Sequence, residues 1–207
     1  VIAPYWADRV LIGDAEAFPP AAPDTVARAL HVLRPYGGTF SVPDAPAVRA
    51  ALEPFPGRGK GFARQAAGGT LTITRRTAPD GADTWTHEAA GPENTFANHD
   101  RRARPPFALL WYSGAVDRLF TPRFQYQHDR NPYPLVVDGR MFLIAEADLH
   151  GIDIYTGQHL WHVQMPKTPR VRWRTKDSRV YSRPYDRNYV AASDRVYVIL
   201  EREIHVY

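Results

Sequence analysis

The chain of 207 residues contains no cysteine and only two methionines. Without a thiol it can form no disulfide, hold no metal through thiolate and use no cysteine nucleophile. The absence does not identify a compartment, because exported and cytoplasmic proteins can both lack cysteine.

Long hydrophobic runs are also absent. The longest stretch without a charged residue or a histidine, 105–116, contains Trp111, Tyr112 and Ser113, and it is shorter than the roughly 18 apolar residues of a transmembrane helix. We therefore predict no membrane-spanning segment. The sequence begins at Val1 without a secretory signal pattern, and we expect it to be a piece of a longer protein.

An excess of positive charge is confined to one segment. The formal net charge is +4, and 167–187 contains eight basic and two acidic residues. Within it, cations alternate with other residues along 170–176, so a strand would place four cations on one face. Such a row can contact nucleic acid or protect an exposed strand edge from aggregation. Since the rest of the chain is slightly acidic, we favour edge protection and do not expect a nucleic-acid partner.

Residues 1–76 alternate between strand and helix patterns. Each of two predicted helices follows an aspartate able to cap it, Asp24 or Asp44. The predicted strands lie at 9–13, 39–42, 61–65 and 70–74. The order of strand, helix, strand, helix and strand predicts an α/β, Rossmann-like domain with a mainly parallel sheet.

The helical pattern ends at a predicted linker, 77–84, and the rest of the chain, 85–207, is predicted to be all-β. The predicted strands are 107–111, 134–137, 140–144, 149–154, 159–163, 171–175, 189–192 and 196–200. Asp138 and Gly139 predict a tight hairpin turn between two of them.

A short internal repeat is the most informative pattern in this region. Residues 140–152 align without a gap to 195–207, at an offset of 55, with identical Arg, Ile, Glu and His. Repeats of about this length built from short strands are typical of β-propeller blades. We predict that the two copies form equivalent strand pairs in the first blades of a β-propeller, with the second copy truncated.

The segment IDIYTGQHLW, 152–161, resembles the repeat core of the β-propeller proteins that bind pyrroloquinoline quinone (PQQ) or are related to those that do. They include the quinoprotein dehydrogenases and an outer-membrane assembly lipoprotein. In this segment Asp153 and Thr156 can close a turn and Gly157 can supply a positive φ. We expect Trp161 to be buried between blades, and its replacement by alanine to cost roughly 3–5 kcal/mol.

The chain also resembles a bacterial subgroup in which a methyltransferase-like domain precedes the propeller. The likeness rests on 85–87, 94–95, 109–111 and 128–132, and VLRPYGG at 32–38 is similar to a junction in S-adenosylmethionine-dependent enzymes. The resemblance implies that the α/β region is the C-terminal half of such a domain and that the all-β region opens a truncated PQQ-like propeller. It favours the periplasm or cell envelope, while the sequence itself leaves the compartment open.

Two parts of these families are missing. The chain has no glycine-rich first turn for S-adenosylmethionine, and it has no vicinal cysteine pair and too few repeats to enclose a quinone. We therefore expect no cofactor in this fragment, and S-adenosylmethionine or PQQ stays open for a longer protein.

Asp14 is the candidate cofactor-binding residue. It follows the strand at 9–13, at the carboxyl end where open α/β sheets place ligands. The alternative is an ordinary loop aspartate. The run 57–61, GRGKG, lacks the spacing of a phosphate-binding loop and is interpreted as a surface turn.

His159 and His162 raise the question of a metal site. On a regular strand, residues i and i+3 face opposite sides of the sheet, so these two could not readily chelate one ion. His150 and His205 recur at the repeat offset, which favours a structural role. We therefore predict no metal site. Residues 128–130, His-Asp-Arg, lack an identifiable nucleophile, and no catalytic residue is assigned.

The sequence thus predicts a binding or scaffold module without its own catalytic centre. Its expected partners are the rest of its own propeller and a protein. Two alternatives are a methyltransferase missing its cofactor motif and a quinoprotein oxidoreductase. An upstream strand with a glycine-rich turn would favour the first, and quinone binding by a longer chain would favour the second.

Overall fold

The computed structural model describes residues 4–14, 16, 23–53, 61–105, 107, 109–113, 133–145, 148–166, 171–174, 180–183, 189–200 and 202–207. The chain divides into two compact units. The N-terminal unit comprises Val1–Ala82 and Arg104–Leu110, and the C-terminal unit comprises Asp83–Ala103 and Trp111–Tyr207.

The described part of the N-terminal unit contains one mixed sheet and two helices. Its elements are β1 (Arg9–Leu11), α1 (Pro23–Val32), β2 (Thr39–Pro43), α2 (Pro46–Leu52), β3 (Phe62–Ala67) and β4 (Thr70–Arg75). The strand order is β1-β2-β4-β3, with β1 parallel to β2 and the other two pairings antiparallel.

Alternation along the strands selects the face that the helices cover. Phe40 and Val42 of β2 are buried, and so are Leu71 and Ile73 of β4. Because residues two apart share a face of a strand, these side chains form one apolar surface. Both helices pack on it, through Val26, Leu30, Val48 and Leu52.

The prediction of a Rossmann-like domain is wrong. Among the described strands of this unit, only β1 and β2 are parallel, because β3 and β4 are joined by a tight turn at Gly68 and Gly69, whose φ angles are 56° and 74°. So short a turn permits only an antiparallel pair, since a parallel pair needs a long crossover. Strand β4 then lies between β2 and β3, which gives a mixed sheet.

The predicted helix cap at Asp44 is also wrong. Ala45 occupies the N-cap position of α2 without a side-chain hydrogen bond. The Asp44 carboxylate instead accepts two hydrogen bonds of 2.6 Å from the Arg49 guanidinium, which lower the pKa of Asp44. The Asp24 side chain lies outside the described residues.

The C-terminal unit consists of antiparallel strands. They are β5 (Leu135–Val137), β6 (Arg140–Ala145), β7 (Asp148–Asp153), β8 (His159–Gln164), β9 (Val171–Arg174), β10 (Val180–Arg183), β11 (Tyr189–Ala191), β12 (Val196–Leu200) and β13 (Glu203–Val206). The first sheet has the order β5-β6-β7-β8 and the second β11-β12-β13, while β9 and β10 pair with each other. The strand predicted at 107–111 does not form in the described part of that segment.

The two copies of the sequence repeat form equivalent hairpins, as predicted. Leu143 lies opposite His150 in the first copy, and Val198 lies opposite His205 in the second. Adding 55 to each residue number of the first pair gives the second. The neighbouring strands β5 and β11 follow the same rule, since Val136 pairs with Met141 and Ala191 with Val196.

The two sheets nevertheless present opposite faces to their shared core. The first sheet contributes Leu135, Val137, Phe142, Ile144 and Leu149. The second contributes Tyr189, Ala191, Val196, Val198 and Leu200. Subtracting 55 from the second set gives 134, 136, 141, 143 and 145, which alternate with the first set and so belong to the other face. The sheets therefore pack head to tail: one face of the first sheet contacts the face of the second sheet that corresponds to the other side of the first.

Strand is the main regular secondary structure of the described residues, with 40% of them in strands and 11% in two helices, and they do not form a clear propeller. The prediction of an α/β domain followed by propeller blades is therefore corrected to small mixed and antiparallel sheets. The reason is that equivalent registers fix how neighbouring strands pair, but two sheets do not define a closed ring around an axis.

Trp111, and not Trp161, packs against the turn of the IDIYTGQHLW segment. The Trp111 indole donates a 2.6 Å hydrogen bond to the Ile154 carbonyl and lies against Gly157. Trp161 lies against Gly151 and remains 36% exposed. The prediction that Trp161 is buried is wrong. The large loss of stability expected for Trp161→Ala, which assumed an aromatic core site, therefore does not apply.

The turn itself forms as the sequence predicts. The Asp153 carboxylate accepts hydrogen bonds from the amides of Tyr155 and Thr156, at 2.9 and 3.0 Å. Gly157 follows with a φ of 70°, a conformation that costs residues with a Cβ about 1–2 kcal/mol.

We expect Gly157→Ala to lower the free energy of unfolding by about 1–3 kcal/mol, because it adds strain at positive φ and a clash with the Trp111 indole. Gly68→Ala is the matched control, since Gly68 also has a positive φ but no atom within 4 Å of an added Cβ. Urea unfolding, with amide hydrogen exchange to assign the loss to each unit, measures the difference. Equal losses in the two variants would show that Trp111 does not constrain the turn.

Candidate functional site

Asp14 lies in an exposed turn of the N-terminal unit. Its Oδ1 atom accepts a hydrogen bond of 2.8 Å from the Glu16 amide, an arrangement that stabilises a local loop. The side chain is solvent-exposed, three residues beyond the end of β1. This contact is that of a loop aspartate, and its role as a cofactor contact stays a prediction.

A cavity of about 870 Å³ lies between β1 and α1 in the same unit. Its wall is mainly apolar and carries two arginines, and Asp14 does not belong to it. The lining residues are Trp6, Ala7, Arg9, Val10, Thr25, Arg28, Ala29, His31 and Val32.

Several sequence candidates lie outside the described residues. These are His128, Asp129 and Arg130, residues 57–60 of the glycine-rich run, and the side chains of the cationic row at 170–176. For that row the structure gives the backbone pairing of β9 with β10.

A β-bulge brings three histidines to one face of the first sheet. His150 lies opposite His162, but the register between β7 and β8 then shifts, so that Gly151 pairs with Trp161 and Ile152 with His159. Leu160 therefore has no counterpart in β7. Directly opposite residues share a face, and so do residues two apart on a strand. His150, His159 and His162, which we call the histidine cluster, consequently lie on the same side.

The three imidazole rings are mutual neighbours. The ring centroids of His150 and His159 are 5.3 Å apart, and His162 lies 5.8 Å from each of them. Nδ1 of His150 and Nε2 of His159 are 3.1 Å apart, a hydrogen-bond distance. The argument that His159 and His162 must face opposite sides is therefore wrong, because it assumes a regular strand and a bulge re-aims side chains.

The surroundings of the cluster favour the neutral form of His150. Burial is the main cause that lowers the pKa of His150, and the neighbouring His159 and His162 lower it further, while Asp148 opposes them. His150 is buried, His159 is half-buried and His162 is exposed. The cluster therefore runs from the interior of the sheet to solvent.

The second sheet has an exposed apolar face, which we call the outer face. It is formed by Tyr197, Ile199, Ile204 and Val206, and the last three are 47%, 66% and 53% exposed. These residues lie on one side because Tyr197 is opposite Val206 and Ile199 is opposite Ile204. At the equivalent positions of the first sheet, Phe142, Ile144 and Leu149 are buried in the shared core, and Gly151 lies against Trp161.

Sequence reasoning missed both features for identifiable reasons. The bulge leaves no residue signature in the run HLWHVQ of β8, although bulges often occur beside functional sites. The outer face was encoded in the repeat alignment, since Ile144 matches Ile199 and Leu149 matches Ile204. Only the tertiary structure shows that one set is covered and the other is not.

Comparison of the sequence with protein-family models finds no match, and comparisons with curated proteins and with solved structures find none. Across the described ranges, neither helix is long and apolar enough to cross a membrane. The resemblance to PQQ-like proteins therefore stays a prediction that rests on sequence motifs.

We expect the stability of the C-terminal unit to fall as the pH decreases below about 6.5. The pKa of His150 is lowered by folding, so the unfolded chain binds this proton at a higher pH than the folded chain does. Between the two pKa values the unfolded state binds more protons than the folded state. The contribution of His150 to the free energy of unfolding is therefore full above the higher pKa, and it is lost as the pH falls to the lower one. Urea unfolding from about pH 8 to about pH 5 in the presence of EDTA tests this.

His150→Gln should make the free energy of unfolding less dependent on pH. His205→Gln, at the equivalent position of the second repeat, should leave that dependence unchanged. A slope that is the same in the native chain and in His150→Gln would assign the effect to another group.

We also expect the 207-residue chain to bind neither S-adenosylmethionine nor PQQ at micromolar concentrations. A Rossmann-like site needs its glycine-rich turn, and a quinone site in a propeller needs several blades around one axis. Isothermal titration calorimetry with each compound checks this. Saturable binding would contradict the expectation, and its loss in Asp14→Ala would then assign the site to Asp14.

Proposed function

We propose that this chain is a binding and scaffold module, whose outer face docks a further β-sheet of the same repeat. The single observation that supports this most directly is the exposure of Ile199 and Ile204, while their repeat equivalents Ile144 and Leu149 are buried.

The internal core supplies the template for such a docking. There, one face of the first sheet packs against the opposite face of the second. The outer face has the same residue positions as the covered face of the first sheet. Its complement should therefore carry small and branched apolar side chains, as Ala191, Val196 and Val198 do. Burial of such apolar area contributes about 25 cal/mol per Å².

A second copy of the chain is a poorer occupant than a further repeat. In a head-to-tail arrangement, the outer face would have to meet the face of the first sheet that contains Leu143 and Ile152. Both side chains are fully buried already. The occupant is therefore a sheet whose complementary face is free.

We expect Ile204→Lys to change the free energy of unfolding by no more than about 0.5 kcal/mol, because the lysine points into solvent. Leu149→Lys, the matched change at the equivalent position of the first repeat, should cost more than about 4 kcal/mol or prevent folding, since it buries an unpaired charge. Urea unfolding compares the two. Equal losses would remove the asymmetry between the repeats that supports the proposal.

A lengthened chain tests docking directly. Repeating residues 153–207 after Tyr207 keeps the period of 55 and supplies both a strand equivalent to β8 beside β13 and a third sheet. We expect the added segment to resist proteolysis and the amides of β12 and β13 to exchange more slowly. Ile204→Lys, nearly neutral in the native chain, should destabilise the lengthened one by more than about 2 kcal/mol, because the charge is then buried. An added segment that is digested, or equal effects of Ile204→Lys in both chains, would overturn the proposal.

A further inference from the structure

The spacing of the rings in the histidine cluster is close to that of imidazoles around one metal ion. A tetrahedral ion with metal–nitrogen distances of about 2.0–2.1 Å places its ligand nitrogens about 3.4 Å apart and the ring centroids about 5 Å apart. In the cluster, the nitrogens of His150 and His159 are 3.1 Å apart and the ring centroids are 5.3 to 5.8 Å apart.

The chemistry of the three rings also suits a cation. Neutral imidazole is a ligand for zinc, copper and nickel ions, and burial favours the neutral form of His150. Asp148 lies two residues from His150 on the same face of β7, where its carboxylate adds a favourable charge. The hydrogen now shared between Nδ1 of His150 and Nε2 of His159 can move to the other nitrogen of its ring, which frees both lone pairs.

We propose that His150, His159 and His162 bind one divalent transition-metal ion of the zinc type. Within the described residues, no group of three such side chains is already arranged to hold an ion. The His162 ring therefore has to turn toward the other two, and its exposure leaves room for this. A water molecule takes the fourth position, on the side open to solvent.

The structural alternative is a simple hydrogen-bonded pair of His150 and His159. It accounts for their 3.1 Å contact but assigns no role to His162, whose ring stacks on His150 at an interplanar angle of 27°. It also leaves the bulge at Leu160 without a purpose. The metal site accounts for all three rings and for the bulge that places them together.

The test begins with the chain freed of metal with EDTA and then dialysed. Zinc chloride is titrated into it, and the binding is measured by isothermal titration calorimetry. We expect one ion per chain and a rise in the unfolding temperature, since a ligand that binds only the folded state stabilises it. Affinity should decrease as the pH falls, because protons compete for the imidazoles. Cobalt(II) in place of zinc should give the intense visible absorption of four-coordinate cobalt.

Loss of a residue that only supports a metal ligand typically weakens metal binding by about 10–100-fold. His159→Ala and His162→Ala should each weaken zinc binding by more than this, because each removes a ligand. His162 is exposed, so this variant should fold even where substitution of the buried His150 does not. His205→Ala, the repeat equivalent of His150, should bind zinc as the native chain does. Absence of saturable binding, or unchanged affinity in His162→Ala, would overturn the proposal.

Discussion

The pairing register of the repeated strands is the constraint on which the C-terminal unit depends. A tight turn at Asp138 and Gly139, with φ angles of 48° and 75°, sets the pairing of β5 with β6. Since side chains alternate between faces, a slip of one residue would exchange the buried and exposed sets. The same register in both sheets, combined with packing through opposite faces, determines which apolar side chains form the core and which reach solvent.

Head-to-tail packing has a consequence that a two-fold sandwich would not have. When two equivalent sheets meet through the same face, each apolar face is buried by the other. When they meet through opposite faces, each sheet keeps one further face that corresponds to a covered one, so a further sheet can be added in the same way. The exposed Ile199 and Ile204 follow from this geometry, and the proposed scaffold role rests on them.

One inserted residue in β8 changes the chemistry of the first sheet. With regular alternation, His159 and His162 would lie on opposite faces. The bulge at Leu160 places both beside His150 and creates a polar cluster between the interior and solvent. In the second sheet, His205 is the equivalent of His150, but its imidazole lies 3.5 Å from the Glu203 carboxylate. Glu203 is itself the repeat equivalent of Asp148, so the difference between the two sites lies in the neighbouring strand. Strand β8 places His159 and His162 beside His150, whereas among the described strands β13 pairs with β12 alone.

The sequence by itself determined the strands β1 to β9, β11 and β12, the repeat, and the turn around Gly157, because turn residues and alternation act over a few neighbouring positions. It did not determine how strands far apart in the chain pair. Because β4 lies between β2 and β3 in the sheet, the prediction of a mainly parallel sheet was wrong. Nor did it determine that Trp111 would cover the turn in place of Trp161. The outer face and the histidine cluster were decided by tertiary structure, because the exposure of a side chain depends on which sheet packs over it.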